Sequence, residues 1–277
     1  MHTLRSLSVF AALLAALLAA LAPGVAGAQA DSTRSPAVVT RGDLGWLALT
    51  AGVAALAQRG DAAVRREVRG AEAQESGALG ALADVGNSWG QPGVVLVGAA
   101  MWGGGLYARN ATVATVGLRA LESITVSSVV TKVLKGTFGR ARPRVSPTDA
   151  WDVELGRGFR SGRGDYESFP SGHSTAAFAF AAAVTSEVVR RAPRHARLVG
   201  ATTFTMAAVT AYARMHRDAH WLSDVAMGAG IGTVSGWAVT RWHATRPENR
   251  VDRILLEPML TRSLSGTTHV GVTLSWR

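Results

Sequence analysis

No cysteine occurs anywhere in the 277 residues. Disulfides, thiolate metal sites and cysteine nucleophiles are therefore excluded, and stability has to come from packing. Acidic side chains are in deficit: 19 Asp and Glu stand against 29 Lys and Arg, a formal net charge of +10. That excess suits an anionic substrate or an anionic membrane surface. It does not point to nucleic acid, because the basic residues are scattered rather than striped and no nucleic-acid motif occurs. Ser171 does not sit in a Gly-x-Ser-x-Gly elbow, which argues against a serine hydrolase built on it.

Long apolar runs are scarce as well. A bilayer span needs roughly 20 mostly apolar residues. Residues 92–108 and 221–239 come close, whereas 44–58 and 174–189 fall short. The expectation is an exported helical bundle with membrane contact. No internal repeat or long linker divides the chain, so one domain with appendages is expected.

Residues 1–30 read as a secretory signal: Arg5 supplies the positive start, 9–22 is apolar, and small residues around Ala28 offer cleavage sites. Residues 31–43 read as a flexible lead-in and 44–246 as the helical domain, with its motif core at 111–239. Apolar or small residues at Val113, Val116, Ala120, Ile124, Ser127, Val130 and Leu134 recur at helical spacing, broken by Arg119 and Glu122. About six core helices are expected, the last dotted with Gly228, Gly230, Gly232 and Gly236 and capped by Asp218. Residues 144–168 form a loop with Arg157, Arg160 and Arg163, long enough to be functional. In 247–277 the period changes: Val270, Val272, Leu274 and Trp276 alternate with polar residues, and 254–259 is positioned to pair with them as a small β-hairpin.

Three stretches carry the chemistry. The first is Lys135 with Arg142-Pro143, the second Pro170-Ser171-Gly172-His173, and the third Arg214, His220 and Asp224. A phosphate ester brings one to two negative charges that must be clamped, and Lys135, Arg142 and Arg214 supply cations, the arginines as planar two-pronged donors. Each alone reads equally as a surface cation. Proline at a helix entry, Gly172 behind it and free amides at the helix start suit an anion, and Ser171 adds a hydroxyl. His173 at that end is placed to protonate a leaving oxygen, or simply to cap the helix. His220 and Asp224 are four apart, on one face of a helix, so the carboxylate can hold one ring nitrogen and leave the other nucleophilic. A metal site on His216, His220, Asp218 and Asp224 is the rival use of these residues, and it leaves Lys135, Arg142 and His173 unexplained.

This ordered set resembles the three-part signature of the type 2 phosphatidic acid phosphatase family, which shares its fold with bacterial non-specific acid phosphatases and vanadium haloperoxidases. The resemblance covers about 111–239. It implies an all-α bundle and hydrolysis of a phosphomonoester or pyrophosphate through a phosphohistidine, without metal or organic cofactor. By position, Lys135, Arg142, Ser171, Gly172 and Arg214 match phosphate ligands, His173 the acid, His220 the nucleophile and Asp224 its partner. Ala213 departs from the pattern, where serine is common. The apolar helices and basic balance favour a lipid phosphate as substrate. Alternatives within the resemblance are a soluble-ester acid phosphatase and a haloperoxidase holding vanadate in the same cradle.

Overall fold

The computed structural model describes residues 37–162 and 164–256. The expected signal at 1–30, residues 31–36 of the lead-in, Arg163 and most of the expected hairpin lie outside the described residues. The chain folds into helices, with α1 at Arg41–Gln58, α2 at Asp61–Val68, α3 at Ala71–Glu75 and α4 at Gly77–Ser88. A π-turn at Trp89–Gly93 leads to α5, Val94–Tyr107, then α6, Ala111–Phe138, and a one-turn α7, Arg157–Arg160. The remaining elements are α8, Gly172–Arg191, α9, Ala196–His216, α10, Leu222–Ala244, and α11, Arg250–Leu256. Six of these, α1, α5, α6, α8, α9 and α10, are long, in line with the expected bundle. Strand content among the described residues is limited to an isolated bridge between Arg140 and Val153.

α8 is the central helix, packed against α6, α9 and α10, while α1 covers α10, α4 covers α9 and α5 covers α6. Small side chains make this closeness possible. Ala176, Ala177, Ala179 and Ala181 to Ala183 are fully buried. On α10, Gly228, Gly232 and Gly236 recur every four residues against α8; a Cβ on Gly232 would sit 2.2 Å from the Thr175 carbonyl oxygen. The glycine stripe therefore sets the spacing of the two helices that carry the site.

Several boundaries differ from the sequence-based expectations. α1 starts at Arg41 rather than 44, because Thr40 and Asp43 form a capping box: Asp43 N–H donates to Thr40 Oγ1 (3.2 Å) and Thr40 N–H to Asp43 Oδ2 (2.7 Å). The expected helix at 92–108 begins at Val94, after a kink at Gly90 with Pro92 inside the turn. At 14 residues, about 21 Å long, it is too short to cross a bilayer. The second expected span, now α10, is mostly buried. Among the described residues, the helix that is long and apolar enough to cross a membrane is α6 instead, with 56% of its apolar window inside the fold. Arg119, which interrupts its periodicity, is buried and paired with Glu122 (3.1 Å) and with Asp252 of α11 (2.5 Å).

The hairpin expectation is corrected where it can be seen. Residues 254–256 are helical, part of α11, whose start is held by Asn249 Oδ1 accepting from Asp252 N–H (2.9 Å). Local capping and the Arg119 ion pair outweigh the strand-like composition.

Candidate active site

The site forms where the C-terminal end of α6, the N-terminal end of α8 and the turn joining α9 to α10 meet. Lys135 lies in the last turn of α6, its stem buried beside α8: a Cβ on Gly172 would lie 3.7 Å from Lys135 Cε. Its ammonium donates to the Glu167 carbonyl. Arg142, in the loop beyond α6, is clamped by the Gly164 carbonyl at Nε (2.8 Å) and the Ala219 carbonyl at Nη1 (3.1 Å). These bonds turn the same Nη1 toward His220 Nε2 at 3.5 Å. Arg214, in the last turn of α9, donates to Asn87 Oδ1 at 2.5 Å.

α8 begins at Gly172, and its ladder opens with Thr175 N–H on the Ser171 carbonyl (2.9 Å). The amides of Gly172, His173 and Ser174 therefore face no intrahelical acceptor, the arrangement that favours an anion at a helix start. The Ser171 amide is not part of that set, since it donates to the Asp224 carbonyl (3.0 Å). Its hydroxyl is fully buried and accepts from Ser174 Oγ (3.0 Å). The His173 ring packs on Gly90, where a Cβ would come within 2.6 Å of Cδ2.

The turn before α10 departs from the expected helix start. Asp218 is not the N-cap: its φ of 54° is left-handed, and its carboxylate takes both prongs of Arg65 (2.8 and 2.7 Å). α10 starts four residues later, at Leu222, with Trp221 as the cap residue. His220 thus precedes the helix instead of sharing its face with Asp224. The two still approach, because Asp224 folds back to accept from Trp221 N–H (2.8 Å), leaving Oδ2 3.6 Å from His220 Nδ1. That is about 0.6 Å longer than an ordinary N–H···O bond. The rival metal grouping is scattered: His216 Nε2 faces the Ala73 carbonyl (3.3 Å) and Asp218 faces Arg65.

Electrostatics bind the pieces together. Burial, with Arg142 adding to it, drives the Lys135 pKa down to about 7. His173 is pushed down to about 4 by burial and by Arg214, Lys135 and Arg142 in turn. His220 falls well below the ordinary histidine value through burial, with Lys135 and Arg142 adding to the fall and Asp224 opposing it. Lys135 and Arg142 thus act on both imidazoles, and Arg214 on His173. Such a concentration of buried positive charge calls for an anion.

Sequence reasoning missed the supports beneath Asp224. Arg140 Nη1 donates to Asp224 Oδ1 (2.6 Å), and Ser168 Oγ donates to Oδ2 (2.5 Å). Asp61 of α2 and Ser223 complete that network. Neither Arg140, two residues before Arg142, nor Asp61 belongs to a recognisable motif in the sequence.

Of the family models, the one described as PAP2 superfamily matches residues 116–248. Every site residue, from Lys135 to Asp224, lies within it. No curated protein matches the chain. Among solved structures, the chain resembles the first transmembrane PAP2 type phosphatidylglycerolphosphate phosphatase from Bacillus subtilis. The identity is 18% and the TM-score 0.55, over 76% of this chain and 96% of that one, a likeness of fold. Residues 116–248 therefore belong to the PAP2 superfamily, and the chain that carries them is a phosphatase, a phosphoric ester hydrolase.

Proposed function

We propose that the protein hydrolyses the phosphate ester of a membrane lipid through a phosphohistidine on His220. The observation that carries this reading is the convergence of Lys135, Arg142 and Arg214 on His173, with Lys135 and Arg142 acting on His220 as well and Arg142 Nη1 3.5 Å from its Nε2. Lys135, Arg142, Arg214 and the first amides of α8 hold the phosphoryl oxygens. Nε2 of the neutral His220 attacks phosphorus as the bond to the alcohol oxygen breaks, and His173 delivers a proton to that oxygen. Water then attacks the phosphohistidine, passing a proton to His173, and inorganic phosphate leaves. Asp224 favours the His220 tautomer with the proton on Nδ1.

The unliganded His173 is neutral at pH 7, since its pKa lies near 4. A bound phosphate dianion offsets the three cations that depress it and so raises that pKa toward the range a general acid needs. The substrate thus recruits its own proton donor.

Exposed apolar surface supports a lipid substrate and membrane association. Val126, Val129, Val130 and Val133 form a solvent-facing stripe on α6, and Trp151 and Leu155 on the following loop and Phe159 on α7 are exposed. An apolar cleft of about 470 Å³ lies between α1, α6 and α10, lined by Val126, Val130, Ile231, Val234 and Ala238. The phosphatidylglycerophosphate named for the fold relative is one member of this substrate class.

The test is phosphate release by detergent-purified protein from diacyl and prenyl phosphates and from p-nitrophenyl phosphate, with and without EDTA. Lipid esters are expected to be hydrolysed faster, at a rate EDTA leaves unchanged. Preference for the soluble ester would overturn the lipid reading. A burst of acid-labile, alkali-stable phosphate on the chain, absent in His220→Ala, is expected for the histidine intermediate.

A further inference from the structure

We infer that Asp61 is a positioning residue for this reaction, holding Arg140 and, through Arg140, the carboxylate of Asp224 beside His220. The inference rests on the reading of the site given above. Asp61 opens α2 and lies outside the segment matched by the family model, so nothing in the three site stretches announces it.

An arginine has five N–H donors in a rigid fork, and Arg140 uses all of them. Nε and Nη2 donate to the Ala150 carbonyl (3.1 and 2.6 Å), Nη1 to Ser223 Oγ (2.7 Å) and Asp224 Oδ1 (2.6 Å), and Nη2 to Asp61 Oδ2 (2.7 Å). The guanidinium has one orientation that satisfies this set, and it is buried along with both carboxylates. Asp61 fixes the Nη2 side of the fork and thereby the direction of Nη1.

Asp61 also acts on α10 directly. Its Oδ1 accepts from Ser223 N–H (2.9 Å) and its Oδ2 from Ser223 Oγ (2.6 Å). Ser223 is in the first turn of α10, where backbone amides lack intrahelical acceptors. A carboxylate from α2 therefore caps the helix that carries Asp224, one residue away from it. Both routes converge on the same result: the Asp224 oxygens stay where His220 Nδ1 can meet them. Arg140 also balances the two buried carboxylates, which would otherwise repel.

The experiment separates positioning from anion binding. With the ester that the substrate panel identifies, kcat and KM are measured for the full chain, along with inhibition by inorganic phosphate. Asp61→Asn is expected to lower kcat about a hundredfold, as a misplacement of order 1 Å does, with KM and phosphate inhibition changed by less than about twofold. In an Arg140→Gln background the same change is expected to cost less than about twofold more, because the two residues act as one unit. Ser223→Ala removes a bridging hydroxyl without removing a charge, and is expected to lower kcat about tenfold; it carries the test if Asp61→Asn does not fold. Unchanged kcat in the folded variants, additive losses in the double variant, or a parallel loss of phosphate inhibition would each overturn the inference. If the unaltered chain releases no phosphate from any ester, the reading of the site falls and this inference with it.

Discussion

His220 Nε2 stands 3.5 Å from Nη1 of Arg142. An imidazole carrying its proton on Nδ1, toward Asp224, presents the Nε2 lone pair to that guanidinium and to any phosphorus held beside it. In the proposed mechanism the nucleophile and a phosphate ligand are thus neighbours before substrate arrives, an arrangement that removes part of the orientational cost.

Loss of the nucleophile is expected to be near total. His220→Ala should reduce phosphate release by more than about 10⁴-fold, a loss of the size seen when a nucleophile is deleted from an acting unit. Helical content by circular dichroism should remain that of the parent. Turnover at parental rate would remove His220 from the mechanism.

Arg142→Lys tests the fork. A lysine reaches the anion as a single point charge and cannot also hold the Gly164 and Ala219 carbonyls that aim Arg142. The expected result is a fall in kcat/KM of about a hundredfold or more, with inhibition by phosphate weakened in the same variant. An unaltered inhibition constant would place the anion elsewhere.

The pH dependence follows from Lys135, whose pKa burial and Arg142 bring down to about 7. Below that value the ammonium is charged and attracts the phosphate; above it the charge is lost. kcat/KM for the free enzyme should therefore decline as pH rises through about 7, and in Lys135→Arg that limb should move upward by more than two units. An unmoved limb would assign it to another group.

Acid stability should report Asp224. Burial alone raises its pKa, but Arg140, His220 and Ser168 outweigh burial and hold it at about 2 in the fold. A depressed carboxylate contributes stability that is fully present above its unfolded value, near 4, and lost as pH falls through about 2. The contribution is on the order of 2 kcal/mol. Urea unfolding between pH 5 and 2 should show this component in the parent and not in Asp224→Asn.

Gly232→Ala addresses the spacing of α8 and α10. The added methyl meets the Thr175 carbonyl at 2.2 Å, so the helices must part. A loss of about 1–3 kcal/mol is expected in thermal or urea unfolding, together with reduced kcat, because the two helices bear His173 and Asp224. Unchanged stability would show that the interface yields at no cost.

The candidate site residues were legible in the sequence because their pattern depends on side-chain type at short range. Lys135 with Arg142, Ser171 to His173, and Arg214 with His220 and Asp224 each span no more than about a dozen residues around a helix end. The long helices were legible too, from apolar spacing and small residues. The start of α10 was not. Asp218 has the composition of a cap, yet Arg65, 153 residues away, takes its carboxylate, and the helix begins after Trp221. The beginning of the expected hairpin was misjudged for a similar reason, since Asp252 is drawn into an ion pair with the buried Arg119.

What the sequence by itself determined is the set of candidate reactive groups and the helices that present them: spacing along a chain prescribes which side chains share a turn. What only the tertiary structure decided is how those groups are aimed. Arg140 joins Asp61 to Asp224 across 79 and 84 residues of chain, and Asn87 reaches Arg214 across 127. Such bonds are set by how closely helices with alanine and glycine faces approach one another. That approach is a property of packed surfaces and has no period in the sequence from which to be read.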